Sequence, residues 1–398
     1  MADGSRKLRP FELARWQLER DQERMRRMPL LLARKQARMS ASPFGFLRGS
    51  APLFYRILRN VPRLARGPED AGLLCGDLHL ENFGVYRPHR PSHLVDRVAF
   101  DLNDLDEVFL GPLHLDLLRV LTSVLLAARG WGCSPAAGLD LAGSMLESYR
   151  RARDSGRLPP VPPPVTELLE RVAARKRRTL LEQWTRVVGR RRRFRLGERL
   201  LPLPRSVRAA CARAFVRFAE AELARSGSPP ERFRVLDVAF RVAGTGSLGT
   251  FRVAVLVEGH GEVDGAWMFD LKGMDAPAGE AFATRRCEAG PERVVDALRT
   301  MLRRPPLMLG AVHVLGHGLL VRRLTPNEDR LDWATLPGAQ RAPTLGFLGA
   351  LTAAAHRRGA RSKLPLLDQS QGGKLLRSAA ELAGIHEAVA LAYAAETR

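Results

Sequence analysis

From about Arg232 to Asp332 the chain changes its hydrophobic period. F-R-V-L-D-V-A-F-R-V-A, T-F-R-V-A-V-L-V-E-G and A-W-M-F-D-L-K show the short, valine-rich alternation of antiparallel strands. Before and after this stretch, leucines and alanines recur at helical spacing, most clearly over His114 to Arg129 and from Pro343 to Arg398. A strand-rich unit bracketed by helices predicts an α+β fold. The expected division is a helix-rich part over 1–231, a smaller antiparallel sheet over 232–332, and C-terminal helices over 333–398 that complete the helical part.

Within the first part, residues up to about 40 read as a charged helical leader ending at Ser40-Ala41-Ser42-Pro43. Residues 71 to 110 read as two short strands with polar loops. Gly111-Pro112 then breaks the chain before a leucine-rich buried helix, near whose start Asp116 is placed to cap it or to hydrogen-bond the preceding loop. P-P-V-P-P-P-V at Pro159 to Val165 is a stiff break, and the segment from there to about 226 reads as helical and arginine-rich.

The nonapeptide G-D-L-H-L-E-N-F-G, Gly76 to Gly84, places Asp77 and Asn82 five residues apart after an apolar run. Such residues often do no more than cap or turn the chain. The same spacing is that of a phosphotransferase catalytic loop, in which the Asp accepts a hydroxyl proton and the Asn holds a magnesium ion against nucleotide phosphates. A second acidic loop, F-D-L-N-D-L-D-E at Phe100 to Glu107, comes soon after and favours the catalytic reading, because magnesium takes carboxylates together with substrate phosphates.

Two further features belong to the strand-rich part. Gly244, Gly246 and Gly249 have G-x-G-x-x-G spacing, but they lead into a strand and not into the helix that a dinucleotide fingerprint requires. A glycine loop between antiparallel strands instead suits a flap over phosphates. Lys272 ends the next strand and is the only lysine from Arg177 through Ser362, a compact ammonium suited to phosphates. Its expected carboxylate partner is Glu288 or Glu292, with Glu292 preferred because Pro291 marks the first turn of a helix.

These are the parts of a kinase-like enzyme with the catalytic and metal loops ahead of the flap and lysine, the reverse of the usual order. A circular permutation reconciles them. S-P-F-G-F-L-R-G, G-D-L-H-L-E-N-F-G, F-D-L-N-D-L-D-E, G-P-L-H-L-D-L-L-R, G-T-G-S-L-G and A-A-A-H-R-R-G, spread over nearly the whole chain, resemble the bacterial domain-of-unknown-function family numbered 2252. That family is grouped with kinase-like, aminoglycoside-phosphotransferase-like proteins. The resemblance implies a two-lobed kinase-like fold, with Asp77 as base and Asn82 as first metal ligand. For the second ligand, counting back from Asp116 gives Asp104, while closeness to the strand favours Asp101. Cys75 stands where such enzymes usually carry His, and Gly273 where an acidic residue is expected.

The leading expectation is thus an ATP- and magnesium-dependent phosphotransferase acting on a hydroxyl acceptor, a small molecule or a protein. Adenylyl transfer from the same site and non-catalytic nucleotide or nucleic-acid binding are the alternatives. The net charge of +22 would suit nucleic acid, but only 6% of residues are aromatic, which leaves no evident stacking platform and favours anionic ligands such as nucleotides. The four cysteines are scattered without C-x-x-C spacing, which speaks against a zinc site or disulfide framework. With no apolar run of membrane-spanning length and no secretory segment, the expected location is the cytoplasm.

Overall fold

The computed structural model describes residues 9–89, 98–226, 229–244, 248–261, 263–287 and 289–397. It is α+β. In chain order come helices α1 (Pro10–Arg24), α2 (Pro29–Ser40), α3 (Pro43–Gly49) and α4 (Ala51–Asn60), then strands β1 (Ala71–Leu74), β2 (Phe83–Tyr86), β3 (Ala99–Leu102) and β4 (Phe109–Pro112). Next are α5 (His114–Gly130), α6 (Pro135–Ser155), α7 (Pro163–Ala173), α8 (Arg177–Trp184), β5 (Thr185–Val188), β6 (Arg191–Phe194), β7 (Leu200–Leu201) and α9 (Arg205–Ser226). The chain continues with β8 (Val235–Arg241), β9 (Arg252–Val257), β10 (Trp267–Gly273), α10 (Pro291–Met301), β11 (Leu309–Val314), β12 (His317–Leu324), α11 (Gly338–Gly359) and α12 (Gln369–Glu396).

Helix α5 is the axis of the helical body. Its residues from His114 to Ala128 are all buried, as a helix apolar on nearly every face must be. It packs on α6 and α12, α6 packs along α11, and α1 lies on α12. Helix starts follow local chemistry. Proline occupies the first turn of α1 to α4, α6 and α7, and Ser42 and Ser134 cap α3 and α6 by accepting from Gly45 N and Ala137 N at 3.0 and 3.2 Å.

The six-stranded antiparallel sheet runs β11-β12-β10-β9-β8-β7. Both of its faces are covered, which explains the nearly continuous apolar run of β9. Val253, Val255 and Val257 join a cluster with Phe215 and Phe218 of α9, while Ala254 and Leu256 pack with Leu181 of α8 and Phe194 of β6.

Two local readings change. Residues 71–112 carry four short strands, paired β1 with β4 and β2 with β3. The arginine run at Arg190 to Arg193 is a β-hairpin and not a helical face. Val187-Val188 favours extended backbone, and Gly189 takes φ +63° at the turn. The buried guanidinium of Arg192 then ties the hairpin to Asp264 at 2.6 Å and bonds across its two strands to the Thr185 hydroxyl at 3.0 Å. Among the described residues, no helix is long and apolar enough to cross a membrane.

Candidate active site

Strand β1 delivers the chain into the turn Cys75-Gly76-Asp77. The turn is fixed from beneath by Asp116 in the first turn of α5, which accepts from Cys75 N at 2.6 Å and Gly76 N at 3.0 Å. Asp116 is in turn held by His356 Nε2 of α11 at 3.1 Å, and His356 Nδ1 lies 2.9 Å from the Tyr149 hydroxyl of α6. Tyr55 donates to the Gly76 carbonyl at 2.6 Å. Gly76 has φ +78°, and a Cβ there would collide with the Glu107 carbonyl oxygen, so the two acidic loops touch backbone to backbone at a position only glycine fits.

The structure brings Asp77, Asn82, Asp104, Lys272 and Gly244 to the wall of one cavity of about 610 Å3. Asp77 is gripped through Oδ1 by the wholly buried Arg119, whose Nε lies at 2.5 Å. Burial pushes the Asp77 pKa up to about 7, Arg119 pulls it down, and the charge of Glu107 adds to the rise. Asn82 sits in a short 3-10 turn, its Oδ1 accepting from His79 N at 2.9 Å and its backbone carbonyl from Asn103 N at 2.8 Å. His79 also lines the cavity. Burial, with Arg48, Arg119 and Arg330 nearby, holds its pKa well below the usual histidine value and keeps the ring neutral. Lys272, only 12% exposed, pairs with Asp106 and lies 4.0 Å from Asp104 Oδ2. Among the described residues, no three His, Cys, Asp or Glu side chains gather as a ready-made metal cage.

Other candidates fall elsewhere. Asp101 lies off the cavity on β3, where its Oδ1 accepts from Leu102 N and its Oδ2 is 3.9 Å from Arg358; burial raises its pKa to about 6. Glu292 is not brought to Lys272. It is exposed at the start of α10 and faces His313 Nδ1 at 3.6 Å, while the carboxylates beside the lysine are Asp106 and Asp104. Gly249, at φ +86°, abuts the Met25 side chain, and Gly246 and Glu288 lie outside the described residues.

Several residues in or behind the wall escape the reading of the sequence. Arg119 closes the motif G-P-L-H-L-D-L-L-R, and its signal is an arginine set among the leucines of the helix, one turn from Asp116. The leader contributes Gln17, Asp21, Arg24 and Lys35 to the cavity, with a buried Lys35–Asp21 pair at 2.6 Å. Arg24 reaches across to Thr250 Oγ1 at 2.8 Å and Asp275 Oδ2 at 2.6 Å, and Leu248 packs on Met25 and Leu31. Leu248 and Gly249, the described end of the glycine loop, are thereby docked against Met25 and Leu31 at the junction of α1 and α2.

No curated protein and no solved structure matches the chain. The family model described as "Uncharacterized protein conserved in bacteria (DUF2252)" matches residues 27–398. That match takes in both acidic loops, Lys272 and the α11 histidine that supports the turn, and with it the chain belongs to the DUF2252 family.

Proposed function

We propose that the protein is an ATP- and magnesium-dependent phosphotransferase with a kinase-like, two-lobed architecture in circularly permuted order, acting on a hydroxyl acceptor. The observation that carries this reading is the meeting of Lys272 with the second acidic loop, 4.0 Å from Asp104, in the cavity that also holds Asp77 and Asn82. A volume of about 610 Å3 lies within the ~300–1,000 Å3 usual for small-molecule sites.

In this reading Arg119 occupies Asp77 Oδ1, so Oδ2 is the oxygen that takes the acceptor's hydroxyl proton. The acceptor oxygen then bonds to the γ-phosphorus as the bond to the β,γ-bridging oxygen breaks and ADP departs. Asn82 and Asp104 would hold magnesium, which supplies neutralisation of the phosphate charge. The side-chain Oδ1 of Asn82 keeps a second lone pair beside its bond to His79 N, and two protein ligands suit an ion that takes its remaining oxygens from phosphates and water. Lys272 would turn from Asp106 to the phosphates, and Gly244 brings backbone close to them.

The test is incubation of the full chain with magnesium and ATP labelled at the α or the γ phosphate, alongside calorimetric titration of ATP. Magnesium-dependent ATP binding is expected, together with release or transfer of γ label that is lost in Asp77→Asn. Transfer of α label would replace the reading by adenylyl transfer, and absence of magnesium-dependent ATP binding would overturn it.

A further inference from the structure

A second cavity, of about 210 Å3, opens where β10 begins and β12 ends, lined by Arg87, Arg177, Trp267, Arg323 and Thr325 among others and sharing no residue with the wall of the candidate active site. Its chemistry is one-sided. Arg323 is 8% exposed, and its guanidinium carbon lies 3.9 Å from the centre of the Trp267 ring, with Arg232 approaching the same ring at 6.0 Å. His260 meets the ring edge-on at 5.0 Å. Among the described residues, no carboxylate pairs with Arg87, Arg177, Arg232 or Arg323; Arg175, also in the wall, is the one already engaged, with Asp329. Among the described residues, the buried Nε atoms of Arg87 and Arg323 and the hydroxyl of Thr325 find no hydrogen-bond partner.

Such a cluster is unfavourable as it stands. Burial first, and then the charges of Arg177, Arg87 and Arg232 in that order, together lower the pKa of Arg323 to about 9; the same four arginines help depress His260 after burial. Among the described residues, these guanidinium groups lose water without gaining a counter-charge, the arrangement in which a buried cation is most costly. Arginine forks match the tetrahedral oxygens of phosphate, and a hydroxyl donor completes such a set. The volume is below the usual range for drug-sized ligands, about 300–1,000 Å3, which excludes a bulky molecule from full enclosure.

We propose that this cavity is a binding site for a phosphate group, held by Arg87, Arg177 and Arg323 with Thr325, and carried either by inorganic phosphate or by a small phosphomonoester whose remainder rests on Trp267.

The experiment is calorimetric titration of the full chain, at fixed ionic strength, with inorganic phosphate in one arm and glycerol 2-phosphate in another, and sodium acetate as control. Saturable one-to-one binding is expected in at least one phosphate arm. It should weaken at least tenfold in Arg323→Met and in Arg177→Gln, and persist in Lys272→Ala, which lies in the other cavity. Arg177 is only partly buried, so its replacement gives a reading that does not depend on how the core accepts the Arg323→Met change, and tighter binding of the ester than of phosphate would identify the ester as the source. Binding equal to that of acetate in both arms, or phosphate binding that survives both arginine substitutions or vanishes in Lys272→Ala, would overturn the proposal.

Discussion

Arg119 Nε donates to Asp77 Oδ1 at 2.5 Å, from a helix in which it is the one charged side chain buried beyond the first turn. The same guanidinium donates to the Leu47 carbonyl at 2.9 Å and stacks over Phe54 at 4.9 Å, so it is immobile and sets the orientation of the carboxylate. Because burial raises Asp77 to about 7 while Arg119 pulls it down, the ionised base becomes available as pH rises through about 7. The rate kcat/KM should therefore climb up to about pH 7 and level off above it. In Arg119→Leu the pull is removed, and the rising limb should move to higher pH; Arg119→Lys, which keeps the charge, should move it less. A profile unchanged by Arg119→Leu would deny this positioning role.

Asp77 and Lys272 should differ in the step they affect. Asp77→Asn keeps an acceptor for Arg119 and should leave nucleotide affinity nearly intact while lowering turnover by roughly 10²–10⁴. Lys272→Ala should act mainly on the affinity for the metal–nucleotide complex. Calorimetry beside single-turnover kinetics separates the two, and equal losses of affinity would make Asp77 a ligand or a structural group.

Asp116 is a support and not a reacting group. Asp116→Ala deprives the Cys75 and Gly76 N–H groups of their acceptor in a buried setting, at about 1–3 kcal/mol each. A lower urea midpoint with an unchanged slope is the expected readout, together with loss of activity.

Gly76→Ala tests the contact between the two acidic loops. Its left-handed backbone costs a non-glycine residue about 1–2 kcal/mol, and the new methyl group would collide with the Glu107 carbonyl oxygen. The loops must part, so activity should fall further than stability does. Thermal melts and turnover measured on the same preparation decide this, and wild-type activity in Gly76→Ala would show the contact to be dispensable.

Salt separates nucleotide from nucleic acid. A magnesium–ATP complex seated in the cavity should tolerate about 0.2 M salt, whereas binding to a phosphate backbone falls steeply over that range. Titrations with ATP and with a single-stranded oligonucleotide at two salt concentrations give the comparison. Nucleic-acid binding that stays tight at the higher salt, without magnesium-dependent ATP binding, favours the basic-protein alternative.

What is legible in the sequence is local. Asp77 and Asn82 are readable because a five-residue spacing spans one turn, and the valine-rich strands because pleating imposes a period of two. The choice between Asp104 and Asp101 depends on where β3 stops pairing: Asp101 still lies opposite Gly84 within the strand, and Asp104 lies past its end on the loop. Glu292 fails as the partner of Lys272 because tertiary placement of α10, not spacing, decides which carboxylate reaches an ammonium. The arginines around Trp267 come from four separate segments, at 87, 177, 232 and 323, so their meeting has no sequence signature at all. The arginine-rich segment is misread as helical at Arg190 to Arg193 because a run of arginines carries no hydrophobic period to tell a helix from a hairpin.

The pairing of Lys272 with Asp106 spans 166 residues, and this bears on how the protein is made. At ~5–20 residues per second, a ribosome needs roughly 10–30 s to extend the chain from the acidic loops to the lysine that faces them. During that interval the nascent helical part carries Asp104 and Asp106 without their cation. A slow codon stretch or a chaperone acting between these two points would lengthen the life of a nascent chain whose acidic loops lack Lys272 and whose α5 still lacks the later α12 that packs on it.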